Sequence, residues 1–198
     1  MTLANEVVQL LVQSAGSWRF EGIRSGLSES EWAALRFLAR ANGFSRTPSA
    51  LAVFLGTPRS AATQIAAILQ SKGLIVRKPS PHDKRSITLC VTHEGEKFLE
   101  SDPINALRDQ IAALEVEDRS QLRDSLRQVL LRLDVPQRRQ HADVCSQCMF
   151  LAESDEGKQR HFKCRFFRRS IAPKDTSLLC TYFEGPQQTS FAAQTSRA

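Results

Sequence analysis

Apolar residues recur at helical spacing through most of the first two-thirds of the chain. Leu3, Val7, Leu10, Leu11 and Ala15 form one stripe and predict a helix over residues 3–19. A second helix is predicted over 28–42. Ser28 and Glu31 have the spacing of a capping box, in which hydroxyl and carboxylate each accept an orphan amide, and Trp32, Leu35 and Leu38 mark its inner face. Thr47-Pro48 opens a short third helix carrying Leu51, Ala52 and Leu55, and Gly56 ends it. Thr57-Pro58 repeats that start signal for a fourth helix, with Ile65, Ile68 and Leu69 on its stripe and Gly73 as its C-cap.

The period then changes from helical to alternating. Leu74–Lys78 and Ser86–Thr92 predict two strands joined by the polar loop Pro79-Ser-Pro-His-Asp-Lys-Arg85. Thr92 starts a further helix, Pro103 breaks it, and residues 105–133 predict one long helix with apolar Leu107, Ile111, Leu114, Leu122, Leu126, Val129 and Leu133, which Val116–Arg119 could interrupt. The fold class is therefore mainly α with a small β-hairpin wing: a winged helix–turn–helix over residues 1–136. A separate cysteine-bearing module is expected over 137–185, with a disordered tail over 186–198.

Charge adds to this pattern. The net charge of +6 suits a polyanionic partner, because each neutralised phosphate releases a counterion. The fourth helix offers small and polar residues at its N-terminal end, where such a helix enters the major groove. Arg59 suits guanine or phosphate, Gln64 suits adenine, and Ala61 or Thr63 suits a thymine methyl, with Ser60 beside them. The hairpin concentrates Arg77, Lys78, His82, Lys84 and Arg85 for phosphate or the minor groove. No run of about 18 apolar residues exists to span a membrane. The opening residues lack the basic start of a secretory signal, so a cytoplasmic location is expected.

The linked runs Leu69-Gln-Ser-Lys-Gly73-Leu-Ile-Val-Arg77, Asp83-Lys-Arg85-Ser-Ile-Thr-Leu89 and Val91-Thr92-His-Glu-Gly95 resemble the MarR family. That family carries a Leu-x-x-x-Gly-Leu-Ile/Val-x-Arg run, an Asp-x-Arg wing and a Leu-Thr-x-x-Gly helix start. Here the last begins Val-Thr. The resemblance covers roughly residues 5–133. It implies a dimer paired through its terminal helices on double-stranded DNA with a palindromic operator. It also implies that Asp83 orients Arg85 and that Arg85 reaches into the minor groove.

Four of the five cysteines lie beyond that region, as Cys145-x2-Cys148-x15-Cys164-x15-Cys180. In a reducing compartment, four thiolates point to a metal before they point to disulfides. Zinc and a 4Fe–4S cluster both take four. Only one CxxC pair is present, the other two ligands are isolated, and Met149, Phe150, Phe166, Phe167, Tyr182 and Phe183 surround them. These features favour the cluster, although aromatics are also the only core so small a module could have. The run Cys145-Ser-Gln-Cys148-Met-Phe150, lone Cys164 and Cys180-Thr-Tyr182-Phe183 resembles high-potential iron–sulfur proteins. It departs at Leu178-Leu179, where that family has glycine and an aromatic. Cys90 reads as a packed strand residue and the basic residues near Cys164 as a solvated face. No constellation of side chains demands catalysis, so a non-enzymatic regulator, more a repressor than an activator, is expected to sense redox state, oxygen or iron. The rivals are a structural zinc clip with a small phenolic or acidic effector, and a redox or electron-transfer subunit that uses the winged helix for protein docking.

Overall fold

The computed structural model describes residues 1–16, 26–80, 86–133, 142–156 and 159–185. Helix α1 (Leu3–Gly16) is followed by α2 (Glu29–Arg40), α3 (Pro48–Leu55) and α4 (Arg59–Ser71). Strands β1 (Ile75–Pro79) and β2 (Ile87–Val91) pair antiparallel, Ile75 opposite Val91 and Pro79 opposite Ile87. Helices α5 (His93–Glu100), α6 (Asn105–Ala112) and α7 (Val116–Arg132) complete the helical part.

The capping box forms as the sequence predicts. The Glu31 amide donates to Ser28 Oγ at 3.3 Å and the Ser28 amide to Glu31 Oε2 at 2.9 Å. Thr47 caps α3, whose first turn holds Pro48, and Thr92 caps α5 by accepting from the Gly95 amide at 3.0 Å. The core gathers where α2, α3, α4 and the hairpin meet, with Trp32, Leu35, Phe37, Leu38, Leu51, Leu69, Ile75 and Leu89 fully buried. On α4 the innermost residues are Ala62, Ala66 and Leu69; the small alanines let α4 lie close to α2. The expected stripe of Ile65 and Ile68 is only half-buried.

Three boundaries differ from expectation. Thr57 does not cap α4. Its amide donates back to Ala52 O at 3.1 Å, beside Gly56 in the left-handed region at φ 61°, so it belongs to the end of α3. Pro58 takes the cap position of α4, and Thr57 Oγ1 is buried without a partner. Helix α2 stops at Arg40, because Ala41 turns extended to bridge Leu179 and the Asn42 amide donates to Leu179 O at 2.8 Å. The single helix expected over 105–133 is two, with Glu115 in extended geometry at φ −59° and ψ 154° before α7. None of α1, α6 or α7 buries a residue within one chain.

The C-terminal part is built from short strands. β3 (Asp143–Val144) pairs with β7 (Leu179–Cys180), while β4 (Leu151–Glu156), β5 (Gln159–Cys164) and β6 (Arg169–Ile171) form an antiparallel sheet. The tail 186–198 lies outside the described residues.

Gly95 sits where α5 crosses the hairpin. A Cβ there would meet Leu74 O at 2.2 Å and Val91 Cγ1 at 2.8 Å. Because the closest obstacle is backbone, Gly95→Ala should cost about 1–3 kcal/mol, the usual cost of overpacking. Chemical denaturation checks this against Gly43→Ala, where nothing lies within 4 Å.

Candidate nucleic-acid interface and thiol pocket

Two surfaces carry candidate chemistry. The first is the exposed N-terminal end of α4. Arg59, Ser60, Thr63 and Gln64 are exposed there and Ala61 is half-buried. The Thr63 hydroxyl donates to Arg59 O at 2.8 Å. Arg77, on β1, donates to Thr63 O at 3.3 Å and so ties the hairpin to this helix. Lys78, also exposed, follows on β1. Asp83, Lys84 and Arg85 lie outside the described residues, as does His82.

The second is a pocket in the C-terminal part. The topology gathers the four cysteines although they are far apart in sequence. Cys145 follows β3 in a single 3₁₀ turn that ends at Cys148, whose amide donates to Cys145 O at 3.0 Å. Cys164 ends β5, opposite Leu151 on one side and Arg169 on the other. Cys180 ends β7, opposite Asp143. All four line one small pocket with Phe44, Phe150, Phe167 and Tyr182. All are free thiols; Cys145, Cys164 and Cys180 are buried and Cys148 is half-buried. Cys90 stays apart, opposite Val76 in the hairpin. Among the described residues, no group of three or more His, Cys, Asp or Glu closes on a point where one metal ion could be held.

Cys145 and Cys180 interact directly. The hydrogen bond from the Cys145 thiol lowers Cys180 to about 6, helped by the Tyr182 amide, Asn42 and Ser45 and opposed by burial. The same hydrogen bond, then burial, raises Cys145.

The sequence reading missed the residues that seat this pocket on the helices. Asn42 Nδ2 donates to Cys145 Sγ at 3.0 Å, and Ser45 Oγ accepts from the Thr181 amide at 3.0 Å. The Phe44 ring stacks on Phe167 with centroids 4.4 Å apart and planes at 9°. Arg127 of α7 binds Asp143 with two hydrogen bonds, Nε to Oδ2 at 2.7 Å and Nη2 to Oδ1 at 2.9 Å. The Asn-Gly turn Asn42-Gly43 was the available signal, but its partners lie more than a hundred residues away.

The geometry of α3, α4 and the hairpin defines a winged helix–turn–helix. The MarR family model matches residues 25–86, the segment that holds α2, α3, α4 and β1. The transcriptional repressor MprA of Escherichia coli K12 is 35% identical over 112 residues, 55% of this chain and 64% of MprA. The chain thus spans less than two-thirds of that relative. A helix–turn–helix transcriptional regulator of Mycobacterium leprae is 29% identical over 99 residues, 50% of this chain and 68% of its own length. Among solved structures, NadR in complex with 4-hydroxyphenylacetate superposes with a TM-score of 0.52 at 23% identity, covering 65% of this chain and 92% of NadR. CouR from Rhodococcus jostii RHA1 bound to p-coumaroyl-CoA gives 0.50 at 18%, covering 62% and 87%. These likenesses establish the fold. The family match ends at residue 86, well before the first cysteine of the pocket.

Asp143→Ala should destabilise the chain by about 1–3 kcal/mol, since it removes two charged hydrogen bonds and leaves Arg127 only its longer pairing with Asp124 at 3.9 Å. The pair is mostly shielded, with side-chain exposures of 26% for Arg127 and 11% for Asp143. A denaturant midpoint equal to that of the parent would show that the pair does not hold the C-terminal part in place.

Proposed function

We propose that the chain is a dimeric, DNA-binding transcriptional regulator, a repressor and not an enzyme, whose four C-terminal cysteines hold a 4Fe–4S cluster that reports redox state, oxygen or iron. The observation that carries the DNA-binding half is the exposed polar end of α4 held against a basic hairpin by Arg77. Arg59 and Gln64 would read bases, Thr63 and Ala61 would contact thymine methyls, and Ser60, Arg77 and Lys84 would meet phosphate. Arg85, oriented by Asp83, would enter the minor groove. The relatives named transcriptional regulators support the same reading.

The dimer is supported by what one chain leaves uncovered. Leu3, Val7, Leu10 and Leu11 of α1 and Val129 and Leu130 of α7 are exposed. A second copy related by a two-fold axis would bury them and set two α4 helices on the half-sites of a palindrome.

The cluster is supported by four free thiols around one aromatic-walled pocket. Soft thiolate ligands and an apolar, water-poor wall are what iron–sulfur chemistry uses. When bound, the cluster would supply a one-electron redox centre, while the chain's residues hold it and exclude water.

A second reading has one observation in its favour. An open groove beside α7 places Arg119 and Arg123, with the paired Arg127 and Asp143, around Ile111, Leu122 and Leu126, a lining that would suit a small aromatic acid. In that reading the cysteines form a zinc clip and the effector is a small acid.

Anaerobically purified protein should be brown and contain about four irons per chain, the content of one cubane. Cys→Ser at 145, 148, 164 or 180 should abolish the colour, and Cys90→Ser should not. Colourless protein with one zinc per chain would replace the cluster by the clip. On DNA, Gln64→Ala should reduce discrimination between a selected operator and random duplex by about 1–3 kcal/mol, and Arg85→Ala should lower the salt slope by about one ion. Unchanged affinity and unchanged salt dependence in folded Arg85→Ala would remove the wing from the interface.

A further inference from the structure

The turn from α2 into α3 belongs to the winged helix by sequence and to the thiol pocket by contact. Asn42 is 1% exposed and Ser45 0%, yet both are polar and their partners lie in the C-terminal part. Asn42 Oδ1 accepts from the amides of Phe44 at 3.1 Å and Ser45 at 3.0 Å, which sets the turn. Its Nδ2 donates to Cys145 Sγ at 3.0 Å. Among the described residues, Phe44 is the only one lining the pocket from outside the C-terminal part. The same turn is bonded to the DNA-binding hairpin. Arg46 O accepts from the Leu89 amide at 2.7 Å, and Leu89 is the buried residue of β2. Arg46 Nε closes the turn on Ala41 O at 2.9 Å. The turn therefore links a pocket sulfur, through the hydrogen bonds of Asn42 and the Ser45–Arg46 peptide, to the strand that leaves the wing.

We infer that Asn42 and Phe44 are the positioning residues through which the winged helix reads the occupant of the thiol pocket. This rests on the proposed cysteine-bound cluster. A filled pocket fixes Cys145 and the Phe44–Phe167 wall, and so fixes the turn and β2 in one arrangement. An emptied pocket frees the ring pair and releases the turn, because an apolar cavity without contents loses the contacts on its lining. The Asn42 donor also acts in the other direction: hydrogen bonds to cluster sulfurs are among the factors that set cluster potential. Coupling of binding at two sites is reciprocal, so DNA that favours one arrangement of β2 shifts cluster retention by the same factor.

The test uses the full-length dimer, loaded anaerobically or stripped with an iron chelator, and a duplex selected from random sequence by the loaded protein. The parent should change its affinity for that duplex about tenfold on stripping, within the range of ordinary coupling energies. Amides of Ser45 and Leu89 should exchange faster in the stripped form. Asn42→Asp keeps the acceptor that sets the turn and loses the donor. It should lower the midpoint potential of the cluster and bring the loaded-to-stripped affinity ratio to within about twofold of one. Phe44→Leu, which leaves every hydrogen bond in place, should reduce the ratio without the shift in potential, and it serves if Asn42→Asp does not fold. A parental ratio in both variants, with the cluster bound, would overturn the inference and leave the cluster standing. A cluster in the parent with no change of affinity on stripping would overturn the inference also. No iron in the parent would overturn the cofactor reading itself, and the inference with it.

Discussion

Asn42 has to satisfy its polar groups in a buried place, and the arrangement of the molecule follows from how it does so. Its main-chain amide goes to Leu179, its side-chain oxygen to the amides of Phe44 and Ser45, and its side-chain nitrogen to a cysteine sulfur. A buried donor or acceptor left unmade costs about 1–3 kcal/mol, so these bonds are compulsory once the site is covered. They require β7 to lie along Ala41 and require Cys145 to stand over the turn. The C-terminal part is consequently seated on the helix–turn–helix, not suspended from the end of α7. Arg127 and Asp143 fix its other side.

Seating the pocket there changes what its contents could influence. The residues beneath it lead directly into α3 and, through Arg46 and Leu89, into β2. The terminal helices meanwhile keep their apolar faces uncovered and available to a second copy. A groove beside α7 is lined by Arg119, Arg123 and Arg127 and by Asp143, which already binds Arg127.

The winged helix was legible because its signals are local. Ser28 with Glu31, Thr47 with Pro48 and Thr92 with Gly95 each cap a helix within one turn, and the alternation in the hairpin is read residue by residue. The cysteine spacing likewise announced a four-thiol site. What escaped were features decided by distant partners. Thr57 looks like a cap but is claimed by the end of α3. Asn42 looks like the tail of a helix but is drawn away by Leu179. Ala62 and Ala66 carry little hydrophobicity, yet they let α4 pack closely on α2. The hydrogen bonds from the helix–turn–helix to the pocket join residues 103 and 136 positions apart, and no periodicity encodes them.

The central claim is that the winged helix and the thiol pocket form one cooperative body through the Asn42–Ser45 turn. Denaturant unfolding under anaerobic conditions tests it most directly when each part has its own probe. In a Trp18→Phe chain, the fluorescence of buried Trp32 reports the helical core, and reaction of a thiol reagent with Cys145, Cys164 and Cys180 reports the pocket. Coincident midpoints for the two signals are the predicted result, as expected of a two-state body. Thiols that become reactive at a lower denaturant concentration, while Trp32 remains buried, would show two independent parts and contradict the account.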